Sequence, residues 1–415
     1  GYDVSKIAVD FGNIYFCYTD GLLLGAGSRA GLKNMLENID GNLPTNLQDI
    51  PDGSFYMYAN IESFGPMVAG QLAMMEPQIL AGMSAEGNMD MDLMQKLMGF
   101  YFDAIGLVLN ETKSVNCVLS FEPEYITGTS SIEFVPGSSL DEYIIPVEIE
   151  DLTGMIPTGN VAVGRVSIDP FTSAAAMNAV FSALNISDIP QSMITFWSEA
   201  ASNTAMSMTI DPDNPMHIVA VYEMPEGTSL EDVKEAYDIQ FSMFSEFMEM
   251  PGLTLSDVQY VDYEGLEWVT FGMNMDMSAM QSDIEDSAPL TQNISWTAWF
   301  TVQDGYLYME MATEPVTVPQ LIDGTYQGET AFAMPEMQNF SSSSEMAMLI
   351  NIPGYVNMAM SMSGLDVPPI EAEPVWLEME VDFTGGGLNK RFRVSGTGIS
   401  AFVGQAIQLF GAMAQ

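Results

Sequence analysis

Two acidic turns carry the residue types that bind calcium. Asp211, Asp213 and Asn214 place three side-chain oxygen donors in one short turn, and residues 283–286 (DIED) form a second cluster. Carboxylate and amide oxygens are the ligands that calcium prefers, although neither cluster has EF-hand spacing. Most acidic turns of this kind are solvated and hold no ion, and that is the first expectation for both. The alternative is that calcium is bound, with Asp211, Asp213 and Asn214 as the candidate metal ligands.

Groups suited to catalysis are sparse. His217 is the single histidine, and the sequence has no Gly-x-Ser-x-Gly nucleophile elbow and no paired-cysteine motif for zinc. His217 follows the acidic turn in a strand-like run, which predicts an exposed position at a strand edge. The 56 carboxylates offer many pairs for glycoside hydrolysis, but the sequence selects none of them. We therefore predict a protein that is not an enzyme and has no organic cofactor.

A glycine motif resembles a dinucleotide-binding loop but stands in the wrong context. Residues 25–30 (GAGSRA) match Gly-x-Gly-x-x-Ala, follow a strand and precede a predicted helix. The preceding strand, however, is the second arm of a hairpin turning at Asp20-Gly21, whereas the dinucleotide motif belongs to a parallel strand–helix–strand unit. We expect a tight turn with Ser28 as the helix N-cap.

The two cysteines leave the redox state open. Cys17 and Cys117 lie in strand-like runs 100 positions apart, at residues 14–18 and 115–121. A disulfide between them would close a long loop, and two buried thiols would act as small apolar residues. Sequence separation does not distinguish these alternatives.

The charge balance excludes whole classes of partner. The chain of 415 residues has 56 acidic and 10 basic side chains, for a net charge of −46. Phosphate backbones and anionic lipids are bound through Lys and Arg, so nucleic-acid binding and a basic membrane-surface helix are both excluded. The longest apolar stretches are too short for a transmembrane segment. Scarce Lys and abundant Ser, Thr, Asn and Gly favour an exported, extracellular or cell-surface protein, with a periplasmic location as the alternative.

Methionine is the most distinctive apolar residue, with 35 copies. Its flexible thioether fills irregular cores and also lines adaptable binding surfaces. Most of these residues are expected to replace Leu and Ile in ordinary cores. The alternatives are a deformable groove for a hydrophobic, lipid-like ligand, and a copper(I) site at Met273, Met275 and Met277.

Repeated strand and helix patterns predict the fold. A strand, a Pro-containing junction and a helix rich in small residues recur three times, each followed by a hairpin of alternating strands. A second hairpin type turns at Asp20-Gly21 and again at Asp304-Gly305. The strand–helix copies are residues 54–72, 160–184 and 346–364, and the hairpins are residues 115–135, 204–222 and 375–394.

These patterns predict an α+β fold: duplicated units of twisted, mainly antiparallel sheet with helices packed on one face. The polar alternation of Glu378, Glu380 and Asp382 predicts that the other face is wet. We place a first unit at residues 1–151 and a second at 152–415, with 152–159 as a linker and a further sub-boundary near 327–344.

Together these features predict a non-catalytic, exported structural or interaction protein at the cell surface or outside the cell. The expected partners are other copies of the chain or other surface proteins. The alternative is a periplasmic or extracellular carrier of a hydrophobic ligand, which requires a continuous apolar cavity.

Overall fold

The computed structural model describes residues 4–9, 12–19, 22–26, 28–30, 32–33, 55–84, 91–122, 125–183, 189–200, 202–211, 214–244, 253–276, 293–362 and 369–395. The strands of these residues are β1 (Val4–Val9), β2 (Gly12–Thr19), β3 (Leu22–Ala26), β4 (Phe55–Ala59), β5 (Thr112–Phe121), β6 (Tyr125–Phe134), β7 (Ala162–Ser167), β8 (Asn203–Asp211), β9 (Asn214–Glu223), β10 (Leu253–Leu255), β11 (Gln259–Tyr263), β12 (Leu266–Asp276), β13 (Asn293–Gln303), β14 (Tyr306–Ala312), β15 (Met346–Asn351), β16 (Trp376–Thr384) and β17 (Gly387–Ser395). The helices are α1 (Ile61–Ser84), α2 (Met91–Glu111), α3 (Ser139–Tyr143), α4 (Pro170–Ala183), α5 (Gln191–Ala200), α6 (Leu230–Phe244), α7 (Thr317–Ile322) and α8 (Ile352–Met362). Single 3₁₀ turns form at Leu152–Met155, Ala331–Ala333 and Met337–Asn339.

One antiparallel sheet runs through most of the described residues. Its strand order is β10-β12-β13-β14-β9-β8-β7-β15-β16-β17-β6-β5-β4, and β11 also pairs with β12, which makes fourteen strands in this part of the chain. The strands β1, β2 and β3 form a separate three-stranded sheet. The predicted α+β class, with a large antiparallel sheet and helices packed on it, is confirmed. Among the described helices, none is both long enough and apolar enough to cross a bilayer.

The three predicted strand–helix–hairpin copies are present, and we call them triplets. Triplet A contains β4, β5 and β6; triplet B contains β7, β8 and β9; triplet C contains β15, β16 and β17. The first strand of each triplet leads into a helix, namely α1, α4 or α8. The residue before the helix caps it in two copies, since Asn60 Oδ1 accepts from Ser63 N at 3.0 Å and Asp169 Oδ1 accepts from Phe171 N at 2.9 Å.

The triplets join in an alternating manner. Triplets B and C meet through their first strands, β7 and β15, whereas triplets C and A meet through their third strands, β17 and β6. The second junction links residues of the predicted first unit to residues of the predicted second unit. The two units therefore share one sheet, and the boundary between residues 151 and 152 stays a prediction.

Both faces of the sheet are covered in its triplet B region. Along β9, Ile218 and Ala220 belong to an apolar cluster with α5 and α6, whereas Val219 and Val221 belong to a cluster on the opposite face. This period of two is the geometry of a strand with two buried faces. Helix α6 begins with a capping box, which the residues 228–232 (TSLED) specify locally. Ser229 N donates to Asp232 Oδ2 at 2.8 Å, and Asp232 N donates back to Ser229 Oγ at 3.4 Å.

The cover opposite the helices comes from irregular segments. Residues 152–159, predicted as a linker, bury Leu152 and Ile156, and residues 327–344, predicted as a sub-boundary, pack Met334 and Met337 into the same cluster. Both segments thus lie over the sheet, and the boundaries predicted at them stay predictions. The prediction that the polar face of the sheet is exposed to solvent is wrong for β16, because Glu378 and Glu380 of that strand are buried.

Candidate functional site

The predicted calcium turn lies only partly within the described residues. Asp211 ends β8 and Asn214 begins β9, and the two residues are paired across the hairpin. Asp213 lies outside the described residues, as do residues 283–286 and Met277 of the copper alternative. In the part of the chain that the structure describes, no group of three or more His, Cys, Asp or Glu side chains is arranged to hold a metal. Calcium at Asp211, Asp213 and Asn214 stays a prediction.

His217 does not lie at a strand edge, so that expectation is wrong. It belongs to β9, which pairs on one side with β8 and on the other with β14. The pairing with β14 brings Glu310 next to it, with His217 Nε2 2.9 Å from Glu310 Oε1. The side chain of His217 is 21% exposed and that of Glu310 is 1% exposed. This pair could not be predicted from the sequence, because the two residues are 93 positions apart.

Glu310 is held by the backbone at the start of α7. Its carboxylate oxygens accept from the N–H groups of Val316 at 3.2 Å, Thr317 at 3.0 Å and Val318 at 2.8 Å. The first N–H groups of a helix have no partner within the helix, and a carboxylate satisfies them with charge-assisted hydrogen bonds. Glu310 therefore attaches α7 to the sheet.

The geometry around His217 differs from that of a catalytic triad. Thr317 Oγ1 lies 3.5 Å from His217 Nε2, and this is the same nitrogen that contacts Glu310. In a triad the orienting carboxylate and the nucleophile contact different ring nitrogens, so that the free one can accept the proton. One nitrogen facing both groups fits a structural link between β9, β14 and α7.

A polar groove lies where triplets A and C join. It has a cavity volume of about 430 Å³. A continuous row of paired residues crosses four strands within it: Asn116 of β5 faces Ser131, Ser131 faces Asn389, and Asn389 faces Asp382 of β16. The lining residues are Asn116, Val118, Thr129, Ser130, Ser131, Ser341, Glu380, Asp382, Asn389, Lys390 and Arg391.

The floor of the groove is fixed by Glu380. Its side chain is 4% exposed, forms an ion pair with Arg391, and accepts from Ser341 N at 2.6 Å and from Ser344 Oγ. A buried carboxylate with this many donors is held in one position. Asp382 Oδ1 is also buried, and it has no hydrogen-bond partner within the described residues. The groove thus combines a fixed charge network with a buried acceptor, Asp382 Oδ1, that is unpaired within the described residues.

Glu378 lies two residues before Glu380 on the same strand, and its pKa is raised. Burial raises the pKa of Glu378, and Arg393, whose Nη1 lies 3.6 Å from its carboxylate, partly opposes that effect. Arg393 also stacks over the ring of Tyr125 at 4.1 Å from its centroid. The guanidinium is therefore shared between a carboxylate and an aromatic face, which holds β16, β17 and β6 in register.

Methionine residues form an exposed stripe on α1. Met67, Met74 and Met75 lie seven and eight positions apart, on one side of the helix, and are 62%, 69% and 51% exposed. These three residues are surface residues and do not take the core role expected for most methionines. The stripe is a candidate contact surface for an apolar partner.

The remaining candidate motifs have structural roles where they are described. The strands β2 and β3 pair antiparallel, as expected for a hairpin, and β3 includes Gly25 and Ala26 of the glycine motif. Leu32 N donates to Ser28 O at 3.1 Å. Cys17 lies in β2 of the small sheet and Cys117 in β5 of the large sheet, and both are thiols.

Comparisons with known proteins add little. No family model matches the chain, and no curated protein matches it. Among solved structures, cyanobacterial PsbP (CyanoP) from Synechocystis sp. PCC 6803 is similar over 30% of this chain and 70% of its own, with 15% identity and a TM-score of 0.16. That similarity is too low to carry an argument.

Proposed function

We propose that the protein is an exported, non-catalytic structural or interaction protein of the cell surface or extracellular space. The observation that carries this proposal is the use of its buried carboxylates. Glu310 caps α7, Glu380 fixes the segment at Ser341, and Glu345 Oε2 accepts from Phe383 N at 2.7 Å. Each of these groups completes the fold, whereas a catalytic carboxylate needs a substrate-facing position.

The charge distribution supports a role in protein contacts. Four basic side chains are paired with carboxylates of the sheet or its cover, so at least four of the ten serve the fold itself: Lys113, Arg165, Arg391 and Arg393. The net charge of −46 leaves a strongly anionic exterior. A partner would therefore contact this protein at an apolar surface such as the methionine stripe, or would use its own cationic groups to bind the anionic exterior. Another copy of the chain is as anionic as this one, so it would bind through the apolar surface.

A carrier of a hydrophobic ligand is the second candidate, because the same stripe is apolar and exposed. The polar groove does not favour it, since that groove is lined mainly by Asn, Ser, Thr and charged side chains. A lipid-like ligand needs a pocket with a predominantly apolar lining.

Native mass spectrometry of protein purified from its own host tests both candidates. Cell fractions would first show where the protein resides, and spectra with and without added calcium would give its oligomeric state and bound mass. We expect protein outside the cytoplasm and oligomers without copurified lipid. Purely cytoplasmic protein would refute the exported role, a strictly monomeric protein would refute self-association, and a stoichiometric lipid adduct would establish the carrier role instead.

A further inference from the structure

In the part of the chain that the structure describes, the end strand β4 has a partner strand on one side only. Among the described residues it pairs with β5 and lies at the end of the strand order. An edge strand presents N–H and C=O groups that can pair with another chain. The sequence of β4 (FYMYA) has none of the charged residues that usually protect such edges, and Met57 in its middle is 45% exposed.

The alternation of the triplets indicates what this edge would pair with. First strands meet at the B–C junction and third strands meet at the C–A junction, so the next junction in the series would join two first strands. In the described part of the chain, the other first strands, β7 and β15, already have neighbours on both sides. Among the described first strands, a partner with a free edge would therefore have to be β4 of a second copy.

We propose that two copies of the chain associate through an antiparallel β4–β4 pair with two-fold symmetry. This inference names the partner and surface of the self-association and rests on that part of the proposed function. A symmetric pair uses the same surface on both copies, which is the common arrangement of homodimers.

The internal B–C junction gives the register of this pair. Asn60, Asp169 and Asn351 are corresponding residues, since each immediately precedes the helix of its triplet. Four positions earlier are Tyr56, Arg165 and Ala347, and Arg165 lies directly opposite Ala347 in the β7–β15 pair. Corresponding positions thus face each other at the local two-fold axis. In the β4–β4 pair, position 56 faces position 56 of the second copy, and position 55 faces position 57.

The helices support the same arrangement. Seven positions after the reference residues are Met67 of α1 and Met358 of α8. Met358 is 9% exposed and Met67 is 62% exposed. Helix α8 contacts β9 of the neighbouring triplet B, so it reaches across the B–C junction. Helix α1 would reach across the junction between the two copies in the same way. The second copy would then cover Met67 and contact the methionine stripe.

Disulfide trapping tests the register. In a background with Cys17→Ser and Cys117→Ser, Tyr56→Cys should form a covalent dimer under mild oxidation. Facing Cα atoms in antiparallel strands lie about 4.5–5.5 Å apart, within the range that a disulfide spans. Tyr58→Cys is the matched control, because position 58 would face position 54. The two cysteines of that variant would be offset by four residues, roughly 13 Å along the strand.

The trapping results separate the inference from the proposed function. A covalent dimer with Tyr56→Cys and at least tenfold less with Tyr58→Cys supports the β4–β4 pair. If the unmodified protein is oligomeric but both variants cross-link equally or neither does, the pair is wrong and self-association by another surface stands. If the unmodified protein is monomeric and Tyr56→Cys stays uncross-linked, the pair and self-association are both wrong.

Hydrogen exchange of the unmodified protein gives a reading that does not depend on the variants. Amides of residues 55–59 should become more protected as protein concentration rises, while those of the internal strand β15 should not change. If the protein is monomeric and the β4 amides are fully protected from exchange at every concentration, the edge of β4 is covered within one copy. That result would overturn the inference.

Discussion

Replacing Glu310 by Gln should be among the most destabilising single changes in this protein. The carboxylate accepts from three backbone N–H groups of the α7 start and contacts His217, and its side chain is 1% exposed. Gln keeps the shape but turns one acceptor oxygen into an NH₂ donor, which leaves buried N–H groups facing a donor. Breaking a buried charged network by removing one partner costs about 3–5 kcal/mol. His217→Ala should cost less, roughly 1 kcal/mol, because the three backbone donors keep their acceptor.

Hydrogen exchange by mass spectrometry measures this cost at α7 itself. A loss of about 3 kcal/mol should speed exchange of the amides at Thr317 and Val318 by about two orders of magnitude, because each 1.4 kcal/mol is tenfold. Glu314→Gln is the matched control, since that residue is exposed and accepts only from Tyr263 Oη, at 3.1 Å, among its described hydrogen bonds. Its effect should stay within about 0.5 kcal/mol. If Glu310→Gln leaves exchange at α7 as slow as in the control, the assignment of Glu310 as the anchor of this helix is wrong.

Three further results are expected. Because burial raises the pKa of Glu378, the folded state keeps this proton to higher pH than the unfolded state, so the free energy of unfolding should fall as pH rises from the unfolded pKa through the raised one. Glu378→Gln should flatten that slope in urea unfolding at a series of pH values, and an unchanged slope would contradict the shift. The hydrogen bond that Tyr306 donates to Glu150, with burial as the second cause, raises the pKa of Tyr306 to about 12. Glu150→Gln should lower it towards 10, as followed by NMR of ring-labelled tyrosine, and a pKa that stays near 12 would show that the hydrogen bond is not the main cause. Gly305 has φ +86° in a hairpin turn with no atom near an added Cβ, so Gly305→Ala should cost about 1 kcal/mol in thermal unfolding through backbone strain alone. Gly154→Ala, where the backbone is not left-handed and the space is equally open, should cost less, and equal losses would refute the strain argument.

The elements predicted best from the sequence are those specified by local residues. The turn at Asp304-Gly305 formed as expected, with φ +52° and +86°, because these residue types tolerate the left-handed backbone of a two-residue hairpin. The capping box at Ser229 and Asp232 is local in the same sense. The turn at Glu264-Gly265 has nearly the same backbone, φ +53° and +81°, and was missed because Glu is not a characteristic residue of that turn.

The His217–Glu310 pair and the polar groove could not be predicted from the sequence, because they depend on which strands become neighbours. Glu310 lies opposite Val219 only because β14 pairs with β9, and the polar groove exists only because β17 pairs with β6. The local alternation of apolar and polar residues predicts that a segment is a strand, but it does not predict which strand will be its neighbour. The sequence does contain one indication of the Glu310 site. Glu310 interrupts the apolar run from Leu307 to Met311, and a single acidic residue in such a run indicates a buried carboxylate whose oxygens accept hydrogen bonds.

The imbalance of charge also explains how the interior is built. With 56 acids and ten bases, ion pairs cannot serve every buried carboxylate. Backbone and hydroxyl donors serve instead: the buried Glu310 uses the start of α7, and the partly buried Glu111 accepts from Leu140 N at 2.8 Å and from Ser139 Oγ at 3.1 Å. Such short-range hydrogen bonds at buried or partly buried groups are screened little by salt, whereas repulsion between surface carboxylates is screened strongly. Added salt should therefore stabilise this protein, because it weakens the repulsion across the exterior and leaves the internal anchors of the carboxylates intact.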